Sequence, residues 1–255
     1  MSAVLVAEKL SKWYGSVIAV NNVSFALNPG ITALLGPNGA GKSTLIAMFT
    51  GQLRQTRGTV KVLGESVWNN HLLNLRIGLC HQFDNFYEDM SAIEFITLMA
   101  RLTGFRGRGL AGRVRDELAR VGLEESAWKR PIATYSKGMR QRVKLAQAVM
   151  HDPELLFLDE PMTGLDPIGR HEIANMIKDF AAMGRSVLIS THILHEVETL
   201  TDQILLVAFG RVIAEGEVHE IRESLEHHPY TIRVRCDAPR RLGLRLAEQD
   251  HVSSI

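Results

Sequence analysis

The sequence predicts an α/β protein: a mostly parallel sheet covered by helices, preceded by an antiparallel β part and interrupted by a helical insertion. Three observations predict it. Between residues 155 and 209, short apolar runs alternate with helix-length segments, the pattern of a parallel sheet. The first thirty residues read as strands without helices between them. From Ser91 to Val149 the strand pattern disappears and helical spacing takes over.

In order along the chain, Val23, Phe25 and Leu27 alternate with Ser24 and Ala26 before the turn Asn28-Pro29-Gly30. Ile31 to Leu35 is a short buried strand, followed by a glycine-rich loop and a helix from Lys42 to about Leu53. Val60 to Leu63 and Ile77 to Cys80 are further strands. Ser91-Ala92-Ile93-Glu94 is a capping-box pattern that opens an apolar helix. The glycines between Gly104 and Gly112 break it, and a second helix runs from Val114 to Val121. Strand, helix, strand, helix and strand then follow at Leu155 to Leu158, Pro167 to Met183, Val187 to Ser190, Leu194 to Leu200 and Ile204 to Phe209. After Gly216 the pattern weakens, although Thr231 to Cys236 alternates again. This divides the chain into a main domain over 1–220, with the insertion at about 83–140, and an accessory extension over 221–255. No helix stop or turn signal precedes the final Ile255, which fits either a truncated extension or a small accessory unit.

Composition narrows the function. The 255 residues are 45% hydrophobic and 22% charged, ordinary values for a globular chain and against extensive disorder. The net charge of +1 gives no whole-chain argument for nucleic acid or an anionic membrane, and no nucleic-acid partner is expected. Cys80 and Cys236 are neither a disulfide framework nor a zinc spacing, which fits a reducing compartment. No apolar run approaches the roughly 18 residues that span a bilayer, and the N-terminus lacks the basic region of a signal peptide.

Gly36-Pro37-Asn38-Gly39-Ala40-Gly41-Lys42-Ser43, followed by Thr44, matches the G-x-x-x-x-G-K-[ST] phosphate loop between a strand and a helix. Its glycines let successive backbone N–H groups face a phosphate, and the helix N-terminus adds partial positive charge. Lys42 is then the residue for the β- and γ-phosphates of a nucleotide, and the Ser43 hydroxyl a ligand for Mg²⁺. Leu155-Leu156-Phe157-Leu158-Asp159-Glu160 is a buried strand with two carboxylates at its C-terminal end, where open α/β sheets bind ligands. Asp159 is suited to Mg²⁺, directly or through water, and Glu160 to polarising a water towards the γ-phosphate. Alone, such a strand end is usually structural; downstream of a phosphate loop it acquires a purpose.

With these motifs goes Tyr135-Ser136-Lys137-Gly138-Met139-Arg140-Gln141-Arg142, which opens a helix. In order and spacing the set resembles the ATP-binding subunit of ABC transporters. The segment at Ser136 resembles the family's signature, LSGGQ, in the YSxGM form frequent in ABC-2-type ATPases, which pair with export permeases. The resemblance implies that Ser136 and Gly138 meet the γ-phosphate of ATP held by a second subunit, in a homodimer or a pseudo-symmetric dimer. It assigns Gln82 to the Q-loop, sensing Mg²⁺ and the membrane partner. It assigns Asp166, in Gly164-Leu165-Asp166-Pro167, to the D-loop, His192 to the switch histidine and Tyr14 to stacking on adenine, with Trp13 as competitor. The resemblance covers roughly residues 4 to 220. Lys137 and Met139 stand where the signature usually has glycine and glutamine, and Thr163-Gly164 where Ser-Ala is commoner.

The implied activity is ATP hydrolysis that powers a separate integral-membrane permease, in the export direction. The chain itself is expected at the cytoplasmic face of the inner membrane, held there by that permease. The insertion at 83–140 is the expected docking surface. The alternative is a soluble ABC ATPase of DNA repair or the ribosome, but those usually carry long coiled coils or two cassettes per chain. A P-loop kinase or GTPase leaves Ser136, Asp166 and His192 without a task.

Overall fold

The computed structural model describes residues 3–226, 234, 237 and 239–247. Two compact units divide the chain, 1–217 and 218–255. In the first unit β1 (Leu5–Tyr14) and β2 (Val17–Leu27) form a hairpin, followed by β3 (Ile31–Leu35), α1 (Lys42–Phe49), β4 (Arg57–Val62), β5 (Glu65–Ser66), α2 (His71–Asn74) and β6 (Ile77–Cys80). Then come α3 (Ala92–Leu102), α4 (Leu110–Arg120), α5 (Lys137–Val149), β7 (Leu155–Asp159), α6 (Pro167–Ala182), β8 (Ser186–Thr191), α7 (Leu194–Glu198), β9 (Gln203–Ala208) and β10 (Arg211–Glu217). The second unit contributes α8 (Val218–Glu226) and α9 (Pro239–Ala247). The alternating stretch at 231–236 lies outside the described residues apart from Val234.

Two sheets share one core. The antiparallel sheet has the order β2-β1-β4-β5, and the six-stranded sheet the order β10-β9-β3-β8-β7-β6. In the larger sheet β9, β3, β8, β7 and β6 run parallel, and β10 closes one edge antiparallel. Phe49 of α1 joins the two: its ring lies 5.8 Å from Phe25 of β2 and 6.3 Å from Phe157 of β7. β7 and β8 are buried along their whole length, as strands covered on both faces must be.

The register aligns the C-terminal strand ends. Leu35 pairs with Thr191 and Leu206, Asp159 with Ser190, and Cys80 with Leu158. The loops that leave β3, β6, β7 and β8 therefore emerge from one edge of the sheet.

The insertion is helical as expected, and the capping box is formed: Ser91 N–H and Oγ–H both donate to Glu94, and Glu94 N–H donates to Ser91 Oγ. Its second helix corrects the expectation. α4 starts at Leu110, not Val114, so the glycine-rich break ends at Gly109 and Gly112 lies within the helix. An interior glycine costs only about 1 kcal/mol relative to alanine, and burial of Leu110, Val114 and Leu118 on one face offsets it. α1 ends at Phe49, short of Leu53, because Gly51 turns left-handed (φ +73).

Candidate functional site

At the aligned edge is a cleft of about 330 Å³, lined by Ala19, Asn38, Gly39, Gly41, Lys42, Ser43, Thr44, Gln82 and Glu160. Its floor follows from the loop's glycines. Gly41, the residue before α1, has φ +103, and a Cβ there would stand 2.6 Å from the Ala19 carbonyl oxygen. Only glycine closes the loop so tightly against β2. Lys42 is buried, and its Nζ donates to the carbonyls of Gly36 (2.7 Å) and Pro37 (3.2 Å). Ala40 is fixed through its own carbonyl, which accepts from Gly210 N–H at 3.0 Å.

Glu160 sits at the centre of the edge. Its backbone is left-handed (φ +50), an uncommon state for a residue with a side chain, and its N–H donates to both Ser190 O (3.2 Å) and Ser190 Oγ (3.0 Å). The surrounding bonds hold a conformation that the chain alone disfavours, and this turns the carboxylate into the cleft. Glu160 Oε1 lies 3.3 Å from Lys42 Nζ. Oε2 accepts from Thr163 Oγ1 and from His192 Nδ1, both at 2.8 Å. Asp159 is buried beside it and accepts a 2.5 Å bond from Ser190 Oγ. The single hydroxyl of Ser190 thus donates to one carboxylate and accepts from the backbone N–H of the next residue.

Among the described residues no cluster of three or more His, Cys, Asp or Glu could hold a metal ion. Ser43 and Gln82 line the cleft, and the buried Asp159 precedes Glu160 at the end of β7. Glu160 Oε1 is also buried with no hydrogen-bond partner among the described residues. A small set of hard oxygen donors fits Mg²⁺, which keeps waters and substrate phosphates as its other ligands.

The remaining predicted residues lie apart from the cleft. Ser136 is the N-cap of α5, accepting from Met139 N–H at 3.3 Å, and Gly138 follows in its first turn. Asp166 is the N-cap of α6, accepting from Gly169 N–H, with Pro167 at the first helical position. Both caps are exposed and neither lines the cleft. Tyr14 ends β1, is 50% exposed and also lies outside the cleft lining, with Lys12 Nζ 5.4 Å from its ring. Arg57 stands 4.9 Å over the ring of its neighbour Trp13.

Several side chains that the sequence does not single out support the site. Ser190 and Thr163 are described above. Lys144 of α5 donates to the carbonyls of His81 (3.2 Å) and Gln82 (3.1 Å) and pairs with Asp84 at 3.0 Å. Arg140 of the same helix grips Glu88 through two 2.7 Å bonds. The helix that begins at Ser136 therefore holds the loop that carries Gln82. Thr191 Oγ1 donates to the buried Glu196 at 2.6 Å and accepts from Ile193 N–H at 3.1 Å, which sets the turn that presents His192.

Residues 20–163 match the family model described as ABC transporter. The ABC transporter ATP-binding protein YxlF of Bacillus subtilis is 41% identical over 249 residues, covering 97% of this chain and 81% of that protein. The Nod factor export ATP-binding protein I of Cupriavidus metallidurans is 37% identical over 226 residues, 88% of this chain and 74% of its own. Among solved structures, an ATP-binding subunit of an ABC transporter superposes with a TM-score of 0.78 at 28% identity, covering 89% of this chain and 95% of its own. CbiO1 of Clostridium perfringens, described as part of the ABC transporter complex cbiONQ, gives 0.77 at 27% identity over 97% of both chains. The phosphate loop, the Asp159–Glu160 strand end and this likeness along nearly the whole length lead to one conclusion: the chain belongs to the ABC transporter family, as an ATP-binding subunit with an ATPase domain.

Proposed function

We propose that two copies of this chain close head to tail around two molecules of ATP and drive a separate integral-membrane permease in the export direction. Each site joins the phosphate loop of one copy to the Ser136 segment of the other. The observation that carries this reading is the division of the motifs. Lys42, Ser43, Gln82 and Glu160 share one cleft, while the exposed Ser136 and Asp166 and the half-buried Gly138 stand outside it. The Ser136 hydroxyl accepts from Met139 N–H, which leaves its own O–H free to donate to an anion. A two-fold arrangement of identical subunits supplies that anion. Relatives named for Nod factor export support the direction of transport.

In this reading Lys42 and the amides at the start of α1 bind the β- and γ-phosphates. Tyr14 stacks on the adenine. Ser43, Gln82 and Asp159 would hold Mg²⁺, which would supply positive charge against the phosphate oxygens. Glu160 orients a water against the γ-phosphorus and takes its proton as the new P–O bond forms and the bond to the bridging oxygen breaks. His192 contacts the γ-phosphate and, from Nδ1, holds the Glu160 carboxylate in line. The permease docks on the groove between the Gln82 loop and α3, where Phe83 and Leu102 are exposed and His81 and Met99 line the wall. That contact places the chain at the cytoplasmic face of the membrane; among the described residues no helix is long and apolar enough to cross it.

The test is complementation. Lys42→Ala disables one phosphate loop and Ser136→Arg one signature, each in a Glu160→Gln background that stops turnover. In a mixed dimer one site collects both lesions and the other is intact. Mixing should restore retention of labelled ATP at one site per mixed dimer. Retention no higher than in the separate variants, with mixed dimers shown to form, rules the shared site out.

A further inference from the structure

Two of the positions where this chain departs from the usual ABC pattern, Lys137 and Gly164, touch one another across 27 residues of sequence. Gly164 lies in the turn before α6 with φ +73. A Cβ built there would fall inside the Lys137 ammonium, 2.8 Å from Cε and 3.1 Å from Cδ. The lysine side chain thus fills the volume that a side chain at 164 would occupy. Gly138 also faces this turn: a Cβ built on it would stand 4.0 Å from the Leu165 side chain. The start of α5 and the turn at 163–166 therefore pack through one long side chain and one bare backbone position. The same turn reaches the catalytic centre, because its Thr163 hydroxyl donates to Glu160.

We propose that Lys137 and Gly164 are a matched pair, and that Lys137 is a positioning residue. Its stem, lodged on Gly164, fixes the Asp166 turn to the Ser136 segment so that both present one surface to the partner's nucleotide. The proposal rests on the shared-site reading, since only there do Ser136 and Asp166 face a common ligand.

A double-substitution cycle tests it in the Glu160→Gln background, with the ATP-dependent dimer measured by sedimentation. Gly164→Ala alone forces the lysine out and should weaken dimerisation by roughly tenfold or more, within the range of couplings between contacting residues. In a Lys137→Gly background the same change should cost at least about fivefold less. Alanine in the left-handed region is strained in both backgrounds, so that strain cancels from the cycle. Lys137→Met keeps the stem without the charge and should dimerise within about twofold of the parent, whereas Lys137→Gly should dimerise more weakly but still measurably. A fluorescent ATP analogue, titrated into each subunit alone, should bind within about twofold of the parent, because a loss confined to the dimer is what a merely structural defect would not produce. Equal costs of Gly164→Ala in the two backgrounds, or Lys137→Met as damaging as Lys137→Gly, overturn the matched pair. A parent chain that forms no ATP-dependent dimer overturns the shared-site reading, and the pair with it.

Discussion

The motifs fall into two regions built on opposite principles. Around Glu160 the polar side chains hold one another: Glu160 has Lys42 at 3.3 Å and Thr163 and His192 at 2.8 Å, and Asp159 is bound by Ser190. Around Ser136 and Asp166 the polar groups cap their own helices and face outward. The first region is organised within one chain. The second is organised only enough to keep its shape. Packing is densest where a charge must be positioned, and in the proposed dimer the bare surface is the one a second copy covers.

The sharpest way to break this contrast is Glu160→Gln. The amide still fills the site and accepts hydrogen bonds, but it cannot take a proton from water. Turnover should fall by roughly 10²–10⁴-fold while ATP binding survives, read as phosphate release beside a binding titration. Near-normal turnover would move the general base elsewhere.

Lys42→Ala and Ser136→Ala compare the two regions directly. Loss of the Lys42 ammonium removes a charge-assisted bond to phosphate, so the affinity of a single subunit for ATP should drop by about 10–100-fold. Ser136→Ala should leave that affinity unchanged and cost the α5 N-cap, about 1 kcal/mol of stability. If Ser136→Ala weakens ATP binding to an isolated subunit, the site is not divided as proposed.

How far each region was legible in the sequence follows from the same contrast. The phosphate loop announces itself because a bound phosphate dictates glycines and a lysine at fixed spacing, and Asp159–Glu160 because carboxylates at a buried strand end, usually structural when alone, gain a purpose downstream of such a loop. Ser190 was not legible: a hydroxyl within Val187–Ser190 reads as one more strand residue until the register sets it beside Asp159, 31 residues away. The contacts of Lys144 and Arg140 with the 81–88 loop span more than fifty residues and leave no local pattern. The start of α4 was missed because Gly112 reads as a breaker, although one buried face sufficed to hold the helix.

Ser190→Ala probes the organised region from beneath. It strips the buried Asp159 carboxylate of a donor and Glu160 N–H of an acceptor. The cost should be about 1–3 kcal/mol, read as a fall in Tm of roughly 2–4 °C per kcal/mol. Because Ser190 holds the left-handed backbone of Glu160, kcat should fall more than KM rises. An unchanged kcat would mean that Thr163 and His192 hold the carboxylate alone.

Tyr14→Ala should raise the KM for ATP by about five- to tenfold, the lower end of the about 1–3 kcal/mol of base stacking on an aromatic, because the ring is half exposed. Tyr14→Phe should change little, because the ring and not the hydroxyl is used. Trp13 already carries the Arg57 guanidinium over its ring. A larger effect of Trp13→Ala would exchange the two roles.

The smallest effect sharpens the contrast from another buried carboxylate. Glu117 of α4 lines a cavity with Val121, Leu145, Val149, Leu156 and Phe180. Its Oε1 has no hydrogen-bond partner among the described residues, and its nearest cation, Arg120 Nη1, lies 3.7 Å away. Unlike Glu160 it is not enclosed by donors, and burial pushes its carboxyl above the ordinary range, with Arg120 and Arg113 pulling the other way. The sign follows from linkage. A carboxyl raised on folding takes up a proton more readily in the folded chain, so folding is favoured below the unfolded pKa and loses that contribution as pH rises through the raised value. At pH 7 the charged form therefore weighs against the fold. Glu117→Gln removes the charge at nearly constant volume and should raise Tm by a few degrees at pH 7, with the gain fading as pH falls through the raised value and gone below the unfolded one. Thermal unfolding of both chains between pH 4 and 8 reads this, and a gain that stays constant with pH would mean that shape rather than ionisation sets the difference.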